Sequence, residues 1–188
     1  MYSDLDVINQ ALILLGEDEL ESVNTGGALG EAVSRLYEPT VNALLINTRW
    51  RFAMKQAALT QVSGAKIEGY SYGFQLPNDC ITVAKVIGAF DFTIMGRIVY
   101  ANSASLTLNY VFRPATSTWP EHFALAMRYK LATVLNEPVT GGATSGLVMQ
   151  QFEKEADIAI AQGMALDGQQ QPSAGIGRRS RFNAARQV

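Results

Sequence analysis

The sequence is poor in the two residue types that most often build metal centres and covalent cross-links. Its 188 residues include a single cysteine, Cys80, and a single histidine, His122. One cysteine excludes an internal disulfide, and such cysteine usage is typical of a reducing compartment. A structural zinc site takes four ligands, mainly cysteine and histidine, so we expect no metal centre, and no motif indicates a cofactor.

Long apolar segments are also missing. No hydrophobic run approaches the roughly 20 residues that a membrane-spanning helix needs. Residues 1–4 are acidic and lack the basic region that opens a secretory signal, so we expect no such signal. Hydrophobic residues still make up 48% of the chain, which is enough to build the core of about one domain.

Acidic residues are absent from the last part of the chain. All seventeen lie at or before Asp167, together with eleven basic residues, so the net charge of residues 1–167 is −6. Residues 168–188 have no acidic side chain and carry four arginines, a side-chain charge of +4. Their composition of Gly, Gln, Pro and Ser cannot bury enough surface to offset the entropy of ordering. This division predicts an extended C-terminal interaction arm.

Helical patterns open the chain. Ser3 and Asp6 form a capping-box pattern, and Gly16 offers a helix end. The acidic stretch that follows, residues 17–27, is typical of a loop. A second helical pattern comes after it, and Pro39 within that pattern predicts a kink or a break.

Two further helices are predicted towards the C-terminus. Thr118 and Glu121 form another capping-box pattern, and residues 136–138, which include a proline, are expected to end that helix. The last helix is expected to turn one set of side chains inward and its charged residues towards solvent. The inward set is Val148, Phe152, Ala156, Ala159 and Ile160.

The segment between these helices alternates between apolar and polar residues. Trp50, Phe52 and Met54 are expected to face the core from a first strand. The alternation within residues 86–112 is typical of a β-meander. One apolar face per strand predicts an antiparallel sheet packed on one side by helices.

Together these patterns predict an α+β fold. It comprises a bundle of about four helices, an inserted antiparallel β-sheet domain and an extended C-terminal arm. We expect residues 1–48 and 115–167 to form the helical domain, residues 49–114 the β-sheet domain and residues 168–188 the arm.

Three groups of side chains could carry chemistry, and each has a simpler interpretation. Cys80 and His122 could form a nucleophile–base pair, but no third orienting group is visible, so we expect no enzymatic activity. The carboxylates of residues 17–21 lack the spacing of a calcium loop and are typical of a solvated loop. Basic residues beside the first strand could bind nucleic acid, but the alternation predicts that they face water. These are Arg49, Arg51 and Lys55.

The arm has two alternative kinds of partner. Its arginines could contact DNA phosphates, which would make the chain a nucleic-acid-binding module. They could instead dock on an acidic protein surface, with Phe182 as an apolar anchor in a pocket. We favour protein docking, because an extended arm covers a large surface with few residues. The candidate site residues are Arg178, Arg179, Arg181, Phe182 and Arg186.

The order of several short segments resembles the tail tubular protein A family of short-tailed phages and the related head-to-tail adaptor proteins of tailed phages. The resemblance covers nearly the whole chain, including the arginine-bearing arm. Its other anchors are residues 11–16 (ALILLG), 44–53 (LLINTRWRFA), 76–80 (LPNDC), 123–135 and 137–140 (EPVT).

This resemblance implies a structural subunit of a twelve-fold ring in the virion. Such a ring lies beneath the portal of the capsid, extends the DNA channel and carries the tail. The implied partners are the portal protein, a tail nozzle or another tail protein, and further copies of the chain. DNA would pass through the channel without specific binding. The resemblance implies that the arm reaches the portal, that the protein is made in the host bacterial cytoplasm, and that no residue is catalytic.

Overall fold

The computed structural model describes residues 2–23 and 26–169. These residues form four α-helices and seven β-strands, and every strand pair is antiparallel, so the predicted α+β fold class is confirmed. No helix in this part of the chain is long and apolar enough to cross a membrane. The helices are α1 (Asp4–Leu15), α2 (Ala28–Thr48), α3 (Glu121–Thr140) and α4 (Gly146–Gln169). The strands are β1 (Met54–Ala58), β2 (Thr60–Val62), β3 (Tyr72–Gln75), β4 (Thr82–Ile87), β5 (Phe92–Met95), β6 (Ile98–Ala101) and β7 (Thr107–Val111).

Helix α1 begins and ends as predicted. The Ser3 hydroxyl accepts a hydrogen bond from the Asp6 N–H at 3.1 Å, and the Asp6 carboxylate accepts one from the Ser3 N–H at 2.8 Å. Gly16 closes the helix in the left-handed conformation, with a φ of 79°. Between these ends, Ile8 and Leu12 are completely buried on the face that packs against α3.

The helices share one hydrophobic core, and α3 contacts each of the other three. Its centre is aromatic: the Phe123 ring meets Trp119, Phe52 and Trp50 edge-on at centroid distances of 4.7, 5.0 and 5.3 Å. Helix α4 adds Phe152 to this core. The aliphatic side chains around the rings include Val33, Leu45, Met127, Leu131 and Leu135.

The strands form two sheets, in an order that the predicted meander does not describe. One sheet has the order β1-β7-β4, and the other has the order β2-β3-β6-β5. Strand β7 therefore pairs with β1 and β4 and not with its neighbour in sequence, β6. Leu59 alone separates β1 from β2, so one bent segment contributes a strand to each sheet.

A second hydrophobic core lies between the two sheets. Val86 and Leu108 from one sheet meet Phe74 and Val99 from the other. The sheets therefore cover each other, which replaces the predicted packing of helices on one face of a single sheet. The helical core also takes in Trp50, Ala53 and Val111 from the predicted sheet domain, and the domain boundaries stay a prediction.

The first strand starts later than predicted. Residues Arg51–Ala53 form a 3₁₀ turn, and β1 begins only at Met54. The indole N–H of Trp50 donates to the carbonyl of Leu44 at 3.1 Å, which ties this residue to the end of α2. Trp50 and Ala53 are both buried, and their spacing of three residues is the period of a 3₁₀ helix. The alternation of residues 50–54 was therefore too short to identify a strand.

Neither proline interrupts its helix. Helix α2 continues through Pro39, and α3 continues through Pro138 to a left-handed cap at Gly141. A proline removes one backbone hydrogen bond, but burial of the helix face on both sides outweighs that loss. The helix therefore does not break at Pro39, and the alternative prediction of a kink there stays a prediction. The predicted helix end at residues 136–138 is wrong.

The start of α3 also differs from the prediction. Its N-cap residue is Pro120, and no side chain caps the helix. Thr118 lies two residues before this N-cap, in a 3₁₀ turn, where its hydroxyl donates to the carbonyl of Ala115 at 2.7 Å. The predicted capping box of Thr118 and Glu121 is wrong for this reason.

Most of the predicted inward face of α4 is confirmed. Phe152, Ala156 and Ala159 are buried, and Ile160 packs partly buried against the helical core. Val148 is 40% exposed, contrary to the prediction. The inward face begins one residue later, at Met149, which matches the helical spacing to Phe152 and Ala156.

Candidate functional site

The five predicted site residues lie outside the described residues, so their placement stays a prediction. They are Arg178, Arg179, Arg181, Phe182 and Arg186. The structure does describe the point where the arm leaves the body, which is the last part of α4. We call residues 158–167 the arm root. Helix α4 itself continues to Gln169, so the first two residues of the predicted arm are helical.

Two contacts fix the arm root to the body. The Asp167 carboxylate accepts a hydrogen bond from the backbone N–H of Arg51 at 3.0 Å. One turn earlier, Gly163 lies directly against the rings of Trp50 and His122. A Cβ atom at position 163 would come within 2.3 Å of a ring carbon of each, so only glycine permits this approach of α4.

His122 contributes to this contact as a packed ring. It stacks on Trp50 with a centroid distance of 5.4 Å and an interplanar angle of 27°. Its Nε2 atom is buried and has no hydrogen-bond partner among the described residues. Cys80 lies in the second core, beside Phe74 and Leu76, and burial raises the pKa of its thiol. The structure thus places the two members of the suggested nucleophile–base pair in different parts of the fold.

Three large apolar side chains of the arm root face solvent. Ile158, Met164 and Leu166 are 50%, 55% and 48% exposed. The sequence prediction missed them because it considered only the inward face of α4. The sequence carried no signal for them, because single exposed apolar residues are normal on a protein surface and exposure depends on how α4 packs. At about 100° per residue they point in different directions around α4, so they are separate exposed side chains and not one apolar patch.

The acidic loop is held against α1. The Asn9 side chain accepts a hydrogen bond from the Leu20 N–H at 2.9 Å and donates one to the Leu20 carbonyl at 3.0 Å. Leu20 is buried, whereas Asp18, Glu19 and Glu21 are exposed. In the part of the chain that the structure describes, no cluster of His, Cys, Asp or Glu could hold a metal ion. The loop therefore presents a fixed, negatively charged surface.

Of the three basic residues near the first strand, Arg49 and Lys55 are exposed as predicted, and Arg51 is partly buried. Arg49 ends α2 with a positive φ of 52°, and Arg51 lies in the 3₁₀ turn. Lys55 pairs with the Asp79 carboxylate at 2.8 Å, and its ammonium group lies 3.8 Å from the centre of the Phe112 ring. The bond from Lys55 lowers the pKa of Asp79. These residues belong to three different local structures, which weakens the case for a shared nucleic-acid surface.

A group of paired charges joins α1, α2 and the segment after β7. The Arg113 guanidinium binds both carboxylate oxygens of Glu38, at 3.1 and 3.2 Å, and lies 3.7 Å from Asp4. Asp4 also accepts hydrogen bonds from Tyr37 and Thr116. Burial, together with the bond to Asp4, raises the pKa of Tyr37. A pocket of about 610 Å³ adjoins these residues, and the charged groups that line it are already paired with one another. This arrangement is typical of contacts that hold segments together rather than of a ligand site.

Comparison with known proteins assigns no family to these features. No protein-family model matches the sequence, and no curated protein is similar enough to indicate a relationship. The function is therefore inferred from the charges and surfaces of the chain and from the resemblance of its short segments.

Proposed function

We propose that the chain is a structural, non-enzymatic subunit of a phage virion ring, a head-to-tail adaptor that joins the portal to the tail and extends the DNA channel. The observation that carries this proposal is the position of the arm. Asp167 is the last acidic residue of the chain, and it is also the residue that ties the end of α4 to the Arg51 N–H. The acid-free segment thus starts where the anchored body ends.

An arm of this composition suits docking on an acidic protein surface. It has four arginines and no carboxylate, so no acidic group of its own competes for the arginines. Phe182 lies next to Arg181 and offers an apolar anchor. Leu166, the exposed apolar side chain of the arm root that lies nearest to the arm in sequence, would extend the same contact onto the body. We infer that the portal protein is this partner, as the resemblance implies.

The body suits a wall around a DNA channel. Its net charge is −6, and the acidic loop is fixed against α1 by Asn9. A negative surface repels the phosphate backbone, so DNA would pass through the ring without specific binding. The remaining parts of the proposal follow from the resemblance. They are a twelve-fold ring, a tail nozzle or other tail protein on the far side, and a location at the head–tail interface of the virion.

The arm can be removed without touching its anchor. A chain that ends at Asp167 keeps the hydrogen bond to Arg51, so we expect its thermal unfolding curve to match that of the full chain. Mixed with portal protein, the full chain should form a ring visible by electron microscopy, and the shortened chain should not bind. Binding by the shortened chain would contradict the role of the arm, and failure of the full chain to bind would contradict the adaptor function.

A nucleic-acid-binding module is the second candidate, and the arginine-bearing, acid-free arm is the observation that favours it. Such a module would bind duplex DNA with an affinity that falls steeply with salt, with a logarithmic slope of about −0.9 for each phosphate contacted. The net charge of −6 on the body opposes this binding. Fluorescence anisotropy over a range of salt concentrations distinguishes the candidates: binding to DNA but not to portal protein would favour the module.

A further inference from the structure

Strand β5 is an edge of the second sheet and is unusually apolar for an edge. Within the described residues it pairs only with β6. Its sequence, Phe-Thr-Ile-Met, contains neither the lysine nor the proline that commonly protects natural edges. Phe90, just before the strand, is fully exposed, and Met95 is 57% exposed. An edge of this kind has backbone donors and acceptors available to another strand.

The core between the sheets is open at this edge. On the inner face, strand pairing aligns Phe74 of β3, Val99 of β6 and Ile94 of β5 in one row. Phe74 and Val99 are 1% and 0% exposed, but Ile94 is 38% exposed. In the adjacent row, Ala101 is completely buried and Phe92 is 38% exposed. The apolar inner face therefore continues to β5, where Phe92 and Ile94 are only partly covered by the described residues.

The pairing register shows which backbone groups of β5 point outward. A two-residue turn joins β5 to β6, which makes Met95 and Ile98 a hydrogen-bonded pair in the usual hairpin geometry. Hydrogen-bonded and non-hydrogen-bonded pairs alternate along an antiparallel ladder. The N–H and C=O groups of Thr93 therefore point towards β6, and those of Phe92 and Ile94 point away from the sheet.

We propose that β5 pairs with β5 of a second copy of this chain, antiparallel and with a two-fold axis at Thr93. Thr93 then lies opposite Thr93 of the second copy, and Phe92 lies opposite its Ile94. In this register the outward groups of Phe92 and Ile94 exchange hydrogen bonds with each other. The side chains of both residues stay on the inner face and cover the open row of the other copy.

Charges at the two ends of β5 complement each other in this arrangement. Asp91 precedes the strand, Arg97 follows it, and both are exposed. Asp91 accepts one hydrogen bond from the Tyr70 hydroxyl and Arg97 donates one to the Pro77 carbonyl, which leaves a carboxylate oxygen and further guanidinium N–H groups for the second copy. Antiparallel self-pairing brings Asp91 of each copy diagonally towards Arg97 of the other, a separation that long side chains span. The same register places Phe90 beside Gly96 of the second copy, where the ring covers backbone that glycine leaves bare.

The contact is small, so we expect a weak dimer. It involves a strand of four residues and the flanking Phe90, which is near the lower limit of specific interfaces and typical of micromolar dissociation constants. The contact does not involve the arm, and its measurement needs no portal protein. A two-fold contact closes at two copies, so it is not the contact between neighbours of a cyclic ring. Its failure would therefore leave the adaptor proposal unaffected, and the reverse also holds.

Charge reversal tests the register with the full chain. Sedimentation velocity should show a monomer–dimer equilibrium for the wild type, and Asp91→Arg or Arg97→Asp alone should abolish the dimer. An equimolar mixture of the two variants should restore a one-to-one dimer, because each then offers the opposite charge to the other. Restoration also shows that both variants are folded. Glu68→Arg is the matched control, an exposed charge reversal outside the contact, and should leave the dimer unchanged.

A cysteine at the two-fold axis gives a second, independent test. Directly opposed residues in a non-hydrogen-bonded pair lie about 4.5 Å apart between Cα atoms, within the range of a disulfide. Thr93→Cys should therefore form a covalent dimer under mild oxidation, whereas Thr60→Cys on exposed β2 should not. Three results would overturn the proposal. The wild-type chain could stay monomeric at millimolar concentration, the dimer could survive Asp91→Arg, or both cysteine variants could cross-link. Binding of a different protein at β5 without self-association would overturn it too.

Discussion

Gly163 lies where α4 crosses the rings of Trp50 and His122, with no room for a side chain. On an exposed helix, Gly→Ala stabilises by about 1 kcal/mol because alanine favours the helix. Here the added Cβ would lie 2.3 Å from two ring carbons, and Trp50 is held by its bond to Leu44. Overpacking outweighs helix propensity, so we expect Gly163→Ala to lower the free energy of unfolding by about 1–3 kcal/mol, measured by urea denaturation.

Gly146→Ala is the matched control for this substitution. Gly146 lies in the same helix, and no atom is within 4 Å of a Cβ built there. The free energy of unfolding of the Gly146→Ala variant should stay the same or rise slightly, because the added methyl group meets open space. Equal effects of the two substitutions would contradict the close packing of the arm root on Trp50.

The two residues that open and close the first helix could be predicted because their signals are local. Ser3 and Gly16 act on backbone groups within a few residues, so the sequence pattern alone identifies both. The bond between Asp167 and Arg51 joins positions 116 apart in the chain. The charge distribution in the sequence identifies Asp167 as the boundary of the arm. Only the structure shows that its carboxylate binds the Arg51 N–H.

At the scale of the element, α2 shows a backbone cost that its packing overcomes. Pro39 has no N–H, so the carbonyl of Arg35 lacks its usual helical donor. We expect Pro39→Ala to raise the free energy of unfolding by about 2 kcal/mol, because the restored hydrogen bond outweighs the entropy benefit of proline in the unfolded chain. Chemical denaturation measures this change.

Pro138 in α3 provides the comparison. It lies near the end of its helix, where fraying makes a single hydrogen bond less valuable, so Pro138→Ala should give a smaller gain. A loss of stability in Pro39→Ala would mean that the packing of α2 on α3 requires the backbone shape that proline imposes.

The elements that were predicted wrongly are those that tertiary contacts decide. Trp50 and Phe52 alternate with polar residues, yet contacts with Phe123 and the Leu44 carbonyl hold this segment as a turn. The strand order could not be predicted from the sequence either. Alternation determines on which face of the sheet a side chain lies, but not which strand pairs with which. Phe92 and Ile94 do face the inner side as alternation predicts, and their exposure arises because β5 is an edge.

At the scale of the whole molecule, charge and apolar surface are divided between body and arm. The body carries −6 and the arm side chains +4. This division could be predicted by counting, whereas the exposed Ile158, Met164 and Leu166 at the arm root could not, because exposure depends on how α4 packs. The proposed docking of the arm therefore combines a long-range attraction from the arginines with a short-range apolar contact.

The arginines and Phe182 should affect portal binding in different ways. Replacing the four arginines with glutamine should lower the association rate and remove most of its salt dependence, because charges steer the encounter. Phe182→Ala should leave the association rate nearly unchanged and raise the dissociation rate by about tenfold or more, as expected for an apolar anchor in a pocket. The four substituted positions are Arg178, Arg179, Arg181 and Arg186.

Surface plasmon resonance on immobilised portal protein, at two salt concentrations, measures both rates for these variants. Lys66→Gln and Lys85→Gln together are the control, because they remove exposed positive charge from the body and not from the arm. Since the arm is the part that meets the portal in this proposal, the control should bind with nearly wild-type rates. If Phe182→Ala slowed association as much as the arginine substitutions did, the division into steering and anchoring would be wrong. If neither variant changed either rate, the arm would not be the part of the chain that holds the portal.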